Sequence, residues 1–225
     1  MIGGLGPESS IDYYRSILAC YRARTGNKTY PHIVIDSLDV DKGIAMLNTG
    51  RLEDLTTYLS EGVQRLVRAG ADFGFIAANT PHIVFDDLQR RSPIPLLSIV
   101  RATSVRAQSL GLKKVGLFGT GFTMRANFYP QEFHRSGIVL VRPREPEIEF
   151  IHQKYLGELL NNQFLPHTRD LIIDIANRMK AEEGVQAIVL AGTELPLLLR
   201  DSPTEIAFLD TTRIHVEAIV GELLR

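Results

Sequence analysis

Phe75-Ile76-Ala77-Ala78-Asn79-Thr80-Pro81 and Val189-Leu190-Ala191-Gly192-Thr193-Glu194-Leu195-Pro196 are two versions of one pattern. Each is an apolar run that ends in small residues, then a Thr with polar neighbours, then a Pro. Each follows a helix-like amphipathic segment and a Gly-containing turn, at residues 69–72 and 183–186. The physical reading is a buried strand whose C-terminal tip opens into a site. Small side chains leave room for a ligand, and Thr, Asn and Glu supply hydrogen bonds where a helix begins. Ligands of open α/β sheets gather at the carboxyl ends of strands. Two such tips predict two similar half-domains facing one cleft.

Working outward, strands alternate with helices along the whole chain. Strands are predicted at 32–37, 73–77, 95–99, 114–120, 138–141, 187–190 and 206–210. Helices are predicted at 7–24, 51–69, 82–90, 101–110, 123–133, 147–161, 168–182 and 211–224, with a polar loop at 38–42. The segment 51–69 is the clearest, with Leu52, Leu55, Leu59, Val63, Leu66 and Val67 on one face. This alternation predicts an α/β fold with mostly parallel sheets and helices on both faces. Domains are expected at 1–100 plus 210–225 and at 101–209. Met1-Ile2-Gly3-Gly4-Leu5-Gly6-Pro7 reads as a strand end and turn, so some of the first strand is expected to precede Met1.

Composition narrows the function classes. The 225 residues carry a net charge of −1 with both signs interspersed, which gives no support to a nucleic-acid or membrane-surface protein. The apolar runs are strand-sized, and no basic-then-apolar leader is present. A single Cys, Cys20, excludes an intramolecular disulfide and a Cys-based metal site. The six His residues lack metal-ligand spacing, so no metal is expected. These features favour a soluble cytoplasmic protein.

Several residues could carry chemistry. Gly3-Gly4-Leu5-Gly6-Pro7 suits close backbone approach to an anion at a helix start, or is only a tight turn. Gly119-Thr120-Gly121-Phe122-Thr123 occupies the equivalent place in the second half, where Thr120 or Thr123 binds a carboxylate or caps a helix. His82 is a natural proton carrier, against the commoner role of a packing residue. Lys154, beside Tyr155 and near His152, either neutralises a carboxylate or lies on a solvated helix face. Glu194 is either an acid/base or a helix-start residue.

In this order, Gly3-Gly4-Leu5-Gly6-Pro7, Asn79-Thr80-Pro81-His82, Gly119-Thr120-Gly121-Phe122-Thr123-Met124 and Thr193-Glu194-Leu195-Pro196 resemble the cofactor-independent aspartate/glutamate racemase superfamily, most closely its aspartate racemase branch. The resemblance covers essentially the whole chain. It implies two Rossmann-like α/β domains related by a pseudo-twofold axis, an active site in the cleft between them, a homodimer, no cofactor, and an amino acid or dicarboxylate as substrate. It also implies a Cys before the Asn-Thr of the first tip and another before the Thr-Glu of the second. One thiolate removes the α-proton and the other thiol protonates the far face.

Here Ala78 and Gly192 stand at those two positions. Neither side chain transfers a proton, so the resemblance leaves open readings. In one, His82, Lys154 or Glu194 replaces one or both thiols, and the reaction is an isomerisation, elimination or decarboxylation beside a carboxylate. In another, the chain only binds an amino acid or carboxylate. A third, thiols removed by design to trap substrate, sits poorly with Gly192, because Ala is the usual replacement. Gly6, Asn79, Thr80, Thr120, Thr123 and Thr193 match substrate-binding positions, and Asp39 is the candidate partner of a substrate ammonium.

Overall fold

The structure, a computed structural model, describes residues 1–26, 29–199 and 204–225. It divides into two compact units, residues 1–99 with 215–225, and residues 100–214.

In the first unit, β1 (Ile2–Gly3), β2 (Asp36–Ser37), β3 (Gly74–Phe75) and β4 (Leu96–Leu97) are accompanied by α1 (Pro7–Thr25), α2 (Val40–Asn48), α3 (Leu52–Arg68) and α4 (Phe85–Arg91). β1 pairs with β2 and β3 with β4, both parallel. An isolated parallel bridge, Ile2 to Ile76, joins the two ladders, so the spatial order is β2-β1-β3-β4. The first tip alternates between two cores, as a strand's period of two requires. Ile76 and Ala78 pack with Leu55, Leu59, Val63 and Leu66 of α3. Phe75 and Ala77 pack with Tyr13 and Ile17 of α1 and with Val216, Ile219 and Val220 near the C-terminus.

The second unit repeats this strand order. It contains α5 (Ile99–Ser109, entered from the first unit), β5 (Lys114–Gly119), α6 (Gly121–Arg125), α7 (Phe128–Arg135), β6 (Val139–Val141), α8 (Glu145–Gly157), α9 (Pro166–Glu183), β7 (Ala187–Ala191), α10 (Leu195–Leu199), β8 (Ala207–Asp210) and the first turn of α11 (Thr211–Leu223). The sheet order is β6-β5-β7-β8, all parallel. β7 is buried at every position, which explains its unbroken apolar sequence: a strand covered on both faces has no polar side.

Local corrections have physical causes. The predicted polar loop at 38–42 contains the start of α2, because the Asp39 carboxylate accepts from the N–H groups of Asp41 (2.9 Å) and Lys42 (3.4 Å) and starts a helix there. The helix predicted at 123–133 is two helices. Pro130 lacks the N–H that would bond the Ala126 carbonyl, and its ring would crowd that oxygen. The Arg142 guanidinium donates to Ala126 O instead (2.8 Å). The helix predicted at 147–161 begins at Glu145 and ends at Gly157, followed by a 3₁₀ turn at Leu159–Asn161.

Candidate functional site

The first strand tip starts from the glycine turn. Gly4 has φ 79° and Gly6 φ 133°, in the range that favours glycine. A Cβ on Gly4 would lie 2.5 Å from the Leu38 nitrogen, and the Gly4 N–H donates to Ser10 Oγ (2.8 Å). Gly6 precedes α1 without a side-chain cap. The tip itself places Asn79 and Ala78 in buried positions and Thr80 half-buried, at the head of a 3₁₀ turn (Thr80–Val84).

His82, in that turn, is fully buried against Phe85, the rings stacked at 4.9 Å. The Ile99 N–H donates to its Nε2 (3.3 Å), so the proton belongs on Nδ1, which lies 3.0 Å from the Ala78 carbonyl. Burial pushes the imidazole down to about 4. Both ring nitrogens are committed to the backbone and the ring is neutral. In this position His82 clamps the tip's backbone. Asp39 is exposed, and its carboxylate caps α2.

The second unit builds its site from three elements. Thr120 caps α6: its Oγ1 accepts from the Thr123 N–H and donates to Thr123 Oγ1, both at 3.2 Å. Both threonines are buried. The next N–H, of Gly121, donates to His152 Nδ1 on α8 (3.1 Å). A side chain at 121 would meet that imidazole, its Cβ 3.0 Å from His152 Cγ.

At the end of β7, Gly192 and Glu194 meet α8 through Tyr155. A Cβ built on Gly192 would lie 2.9 Å from Tyr155 Oη and 3.0 Å from Cζ, with Cε2 closer still. The phenol donates to Glu194 Oε2, and the Thr193 hydroxyl donates to the same oxygen (2.8 Å). Tyr155 and Glu194 are 4% and 2% exposed, so this polar cluster is desolvated and its hydrogen bonds strong. Burial, then the Glu194 charge, push the Tyr155 phenol well above its ordinary value, partly offset by the Thr193 side chain and the Glu194 backbone. The phenol is O–H at neutral pH.

Lys154 is not part of this cluster. Its ammonium pairs with Glu158, one turn on, which also accepts from Thr168 Oγ1 (2.6 Å). Neighbours on a helix point about 100° apart, so Lys154 and Tyr155 serve different surfaces. The sequence points to Lys154, whereas the cluster at Gly192 is built around its neighbour Tyr155. The buried face of α8 runs Ile148, Ile151, Tyr155, and that spacing was the signal that could have found it. No cluster of three or more His, Cys, Asp or Glu able to hold a metal occurs among the described residues. Among the same residues, no helix is long and apolar enough to cross a membrane.

With these sites in place, comparison with known proteins identifies the class. The Asp/Glu/hydantoin racemase family model matches residues 2–219, and the chain belongs to that family. Among solved structures, a candidate Asp/Glu racemase from Yersinia pestis superposes with a TM-score of 0.90 at 31% identity, covering 100% of this chain and 97% of that one. An aspartate racemase homologue from Pyrococcus horikoshii OT3 gives 0.85 at 30%, with coverage of 100% and 97%. The chain is also 21% identical to the broad specificity amino-acid racemase RacX of Bacillus subtilis, over 100% of this chain and 97% of that protein.

Proposed function

We propose that this chain binds a small amino acid or dicarboxylate of the aspartate/glutamate kind and does not invert it by the two-thiol route. The observation that carries this reading is Gly192, whose side-chain space is filled by the Tyr155 ring. Ala78 supplies only a methyl group, packed in an apolar cluster with Ile2, Val84 and Phe85. Racemisation needs a proton-transferring group on each face of the α-carbon. At the first tip, Ala78 has no such group, and the nitrogens of His82 are occupied.

Binding is proposed to use Asn79, Thr80, the Gly6 turn, Thr120, Thr123 and Thr193, whose hydroxyl, amide and N–H groups suit carboxylates. Asp39, at the exposed start of α2, is proposed to meet a substrate ammonium. Among reactions, this arrangement favours one-sided chemistry beside a carboxylate, such as isomerisation, elimination or decarboxylation, over racemisation. Simple ligand binding is the alternative, supported by the same missing thiols. The protein is proposed to act without a cofactor, as a cytoplasmic homodimer.

The test pairs titration calorimetry with chiral chromatography for L- and D-aspartate and glutamate. Asn79→Ala and Thr193→Ala are each expected to weaken binding by about tenfold, the worth of one hydrogen bond, while no acid is inverted by the wild-type protein. Unchanged affinity in both variants, or inversion, would overturn the reading.

A further inference from the structure

We infer that Tyr155 and Glu194 form a proton relay that stands in the place of the second thiol. The inference rests on the proposed binding of a carboxylate substrate and goes beyond it by naming the reacting group. Three observations converge. The phenol oxygen lies 2.9 Å from where a Cβ at position 192 would be, so Tyr155 presents an oxygen in the space a side chain there would enter. The phenol hydrogen points at Glu194 Oε2. Thr193, between the two in sequence, donates to that same oxygen and fixes the carboxylate's orientation.

The relay follows from which groups can hold charge. A Tyr acting alone as a base would first have to become phenolate beside a carboxylate, and burial and the Glu194 charge both oppose that. A concerted transfer avoids it. The substrate α-C–H bond breaks and its proton joins Tyr155 Oη. The phenol's own proton moves to Glu194 Oε2. The electron pair left on the α-carbon delocalises into the substrate carboxylate as an enediolate. Net charge is conserved, and no phenolate forms. In reverse, protonated Glu194 returns a proton through Tyr155 to the same face. One relay on one face exchanges the α-proton with solvent and retains configuration.

A buried tyrosine–glutamate bond is also a good brace between α8 and the end of β7, and the experiment must separate the two roles. Purified protein in heavy water is incubated with L- and D-aspartate, L- and D-glutamate and related dicarboxylates. The α-proton is followed by NMR, and binding is measured on the same samples by calorimetry. The wild-type protein is expected to wash out the α-proton of at least one bound enantiomer without inverting it. Tyr155→Phe keeps the ring and is expected to slow washout by about 100-fold, in the range of lost acid–base catalysis, with affinity within about twofold. Glu194→Gln is expected to do the same.

Washout at the wild-type rate in a folded Tyr155→Phe protein would overturn the relay and leave a brace. A wild-type protein without washout on any of these acids would also overturn it. Calorimetry on those samples then reports separately on carboxylate binding, which stands if heat is seen and fails with the relay if it is not.

Discussion

Gly192 and Tyr155 compete for one volume: a Cβ at 192 would press into the Tyr155 ring, 2.9 Å from its oxygen and 3.0 Å from Cζ. Two chain segments, the end of β7 and the middle of α8, are therefore coupled through the absence of a side chain. A side chain at 192 and the Tyr155 ring cannot both keep their places. Gly192→Cys is expected to destabilise the protein by about 1–3 kcal/mol, the usual cost of overpacking. Gly192→Cys combined with Tyr155→Ala should recover part of that loss, because the ring is gone. Urea unfolding of the two variants against wild type checks this; equal stability of wild type and Gly192→Cys would show that the ring moves aside freely.

The buried histidines predict how stability depends on pH. His215 is held between Tyr13 (Nδ1, 2.9 Å) and the Leu97 carbonyl (Nε2, 3.2 Å), and burial, with His82 nearby, pushes it down to about 3. His82 is at about 4. Both folded values lie below the ordinary unfolded value near 6.5, so the unfolded chain binds more protons in acid. Stability is fully present above about pH 6.5 and falls with decreasing pH, by about 1.4 kcal/mol per unit for each histidine until its folded value is reached. His82→Gln is expected to lower stability at pH 7.5 and to flatten the decline between pH 6.5 and 4. A wild-type curve flat across that window would contradict the neutral, buried assignment.

Asp39 separates capping from charge. Asn caps as well as Asp but carries no charge. Asp39→Asn is expected to leave stability unchanged, whereas Asp39→Ala loses about 1 kcal/mol. If the carboxylate also receives the substrate ammonium, as proposed, Asp39→Asn weakens amino-acid binding by about tenfold without weakening a dicarboxylate that has no amine. Equal loss for both ligands, or none, removes Asp39 from the site and leaves the cap.

Lys154 is expected to be dispensable. Its pair with Glu158 is a helix-face contact with the Lys side chain 32% exposed, and such pairs contribute about 0–1 kcal/mol. Lys154→Met should change melting little and amino-acid affinity by less than about twofold. A loss of affinity comparable to that of Thr193→Ala would return Lys154 to the binding machinery.

Much of the fold was legible because periodicity carries it. The apolar face of α3 and the unbroken run of β7 were readable from spacing alone, since both report burial on a known face. The break between α6 and α7 was also written in the sequence, at Pro130, but only a comparison with the carbonyl four residues back reveals it. The residues of the strand tips were legible as polar groups after small ones. Their states were not. His82 is neutral because it is buried, with Nε2 accepting from Ile99, distant along the chain, and Tyr155 fills the side-chain space at Gly192, also distant. Pairings of this kind are set by sheet register and helix rotation, which no local pattern encodes. Glycine at 192 reads in sequence as an emptied position; in the structure it is a filled one.

A crystal structure of the protein with bound aspartate or glutamate tests the central claim most directly, by the distance from Tyr155 Oη to the ligand α-carbon. The relay predicts about 3–3.5 Å, the separation of a reactive pair, with the phenol still bonded to Glu194. A ligand bound in this unit with its α-carbon more than about 6 Å from Oη, beyond any direct proton transfer, would contradict it, as would a Tyr155 turned away from Glu194.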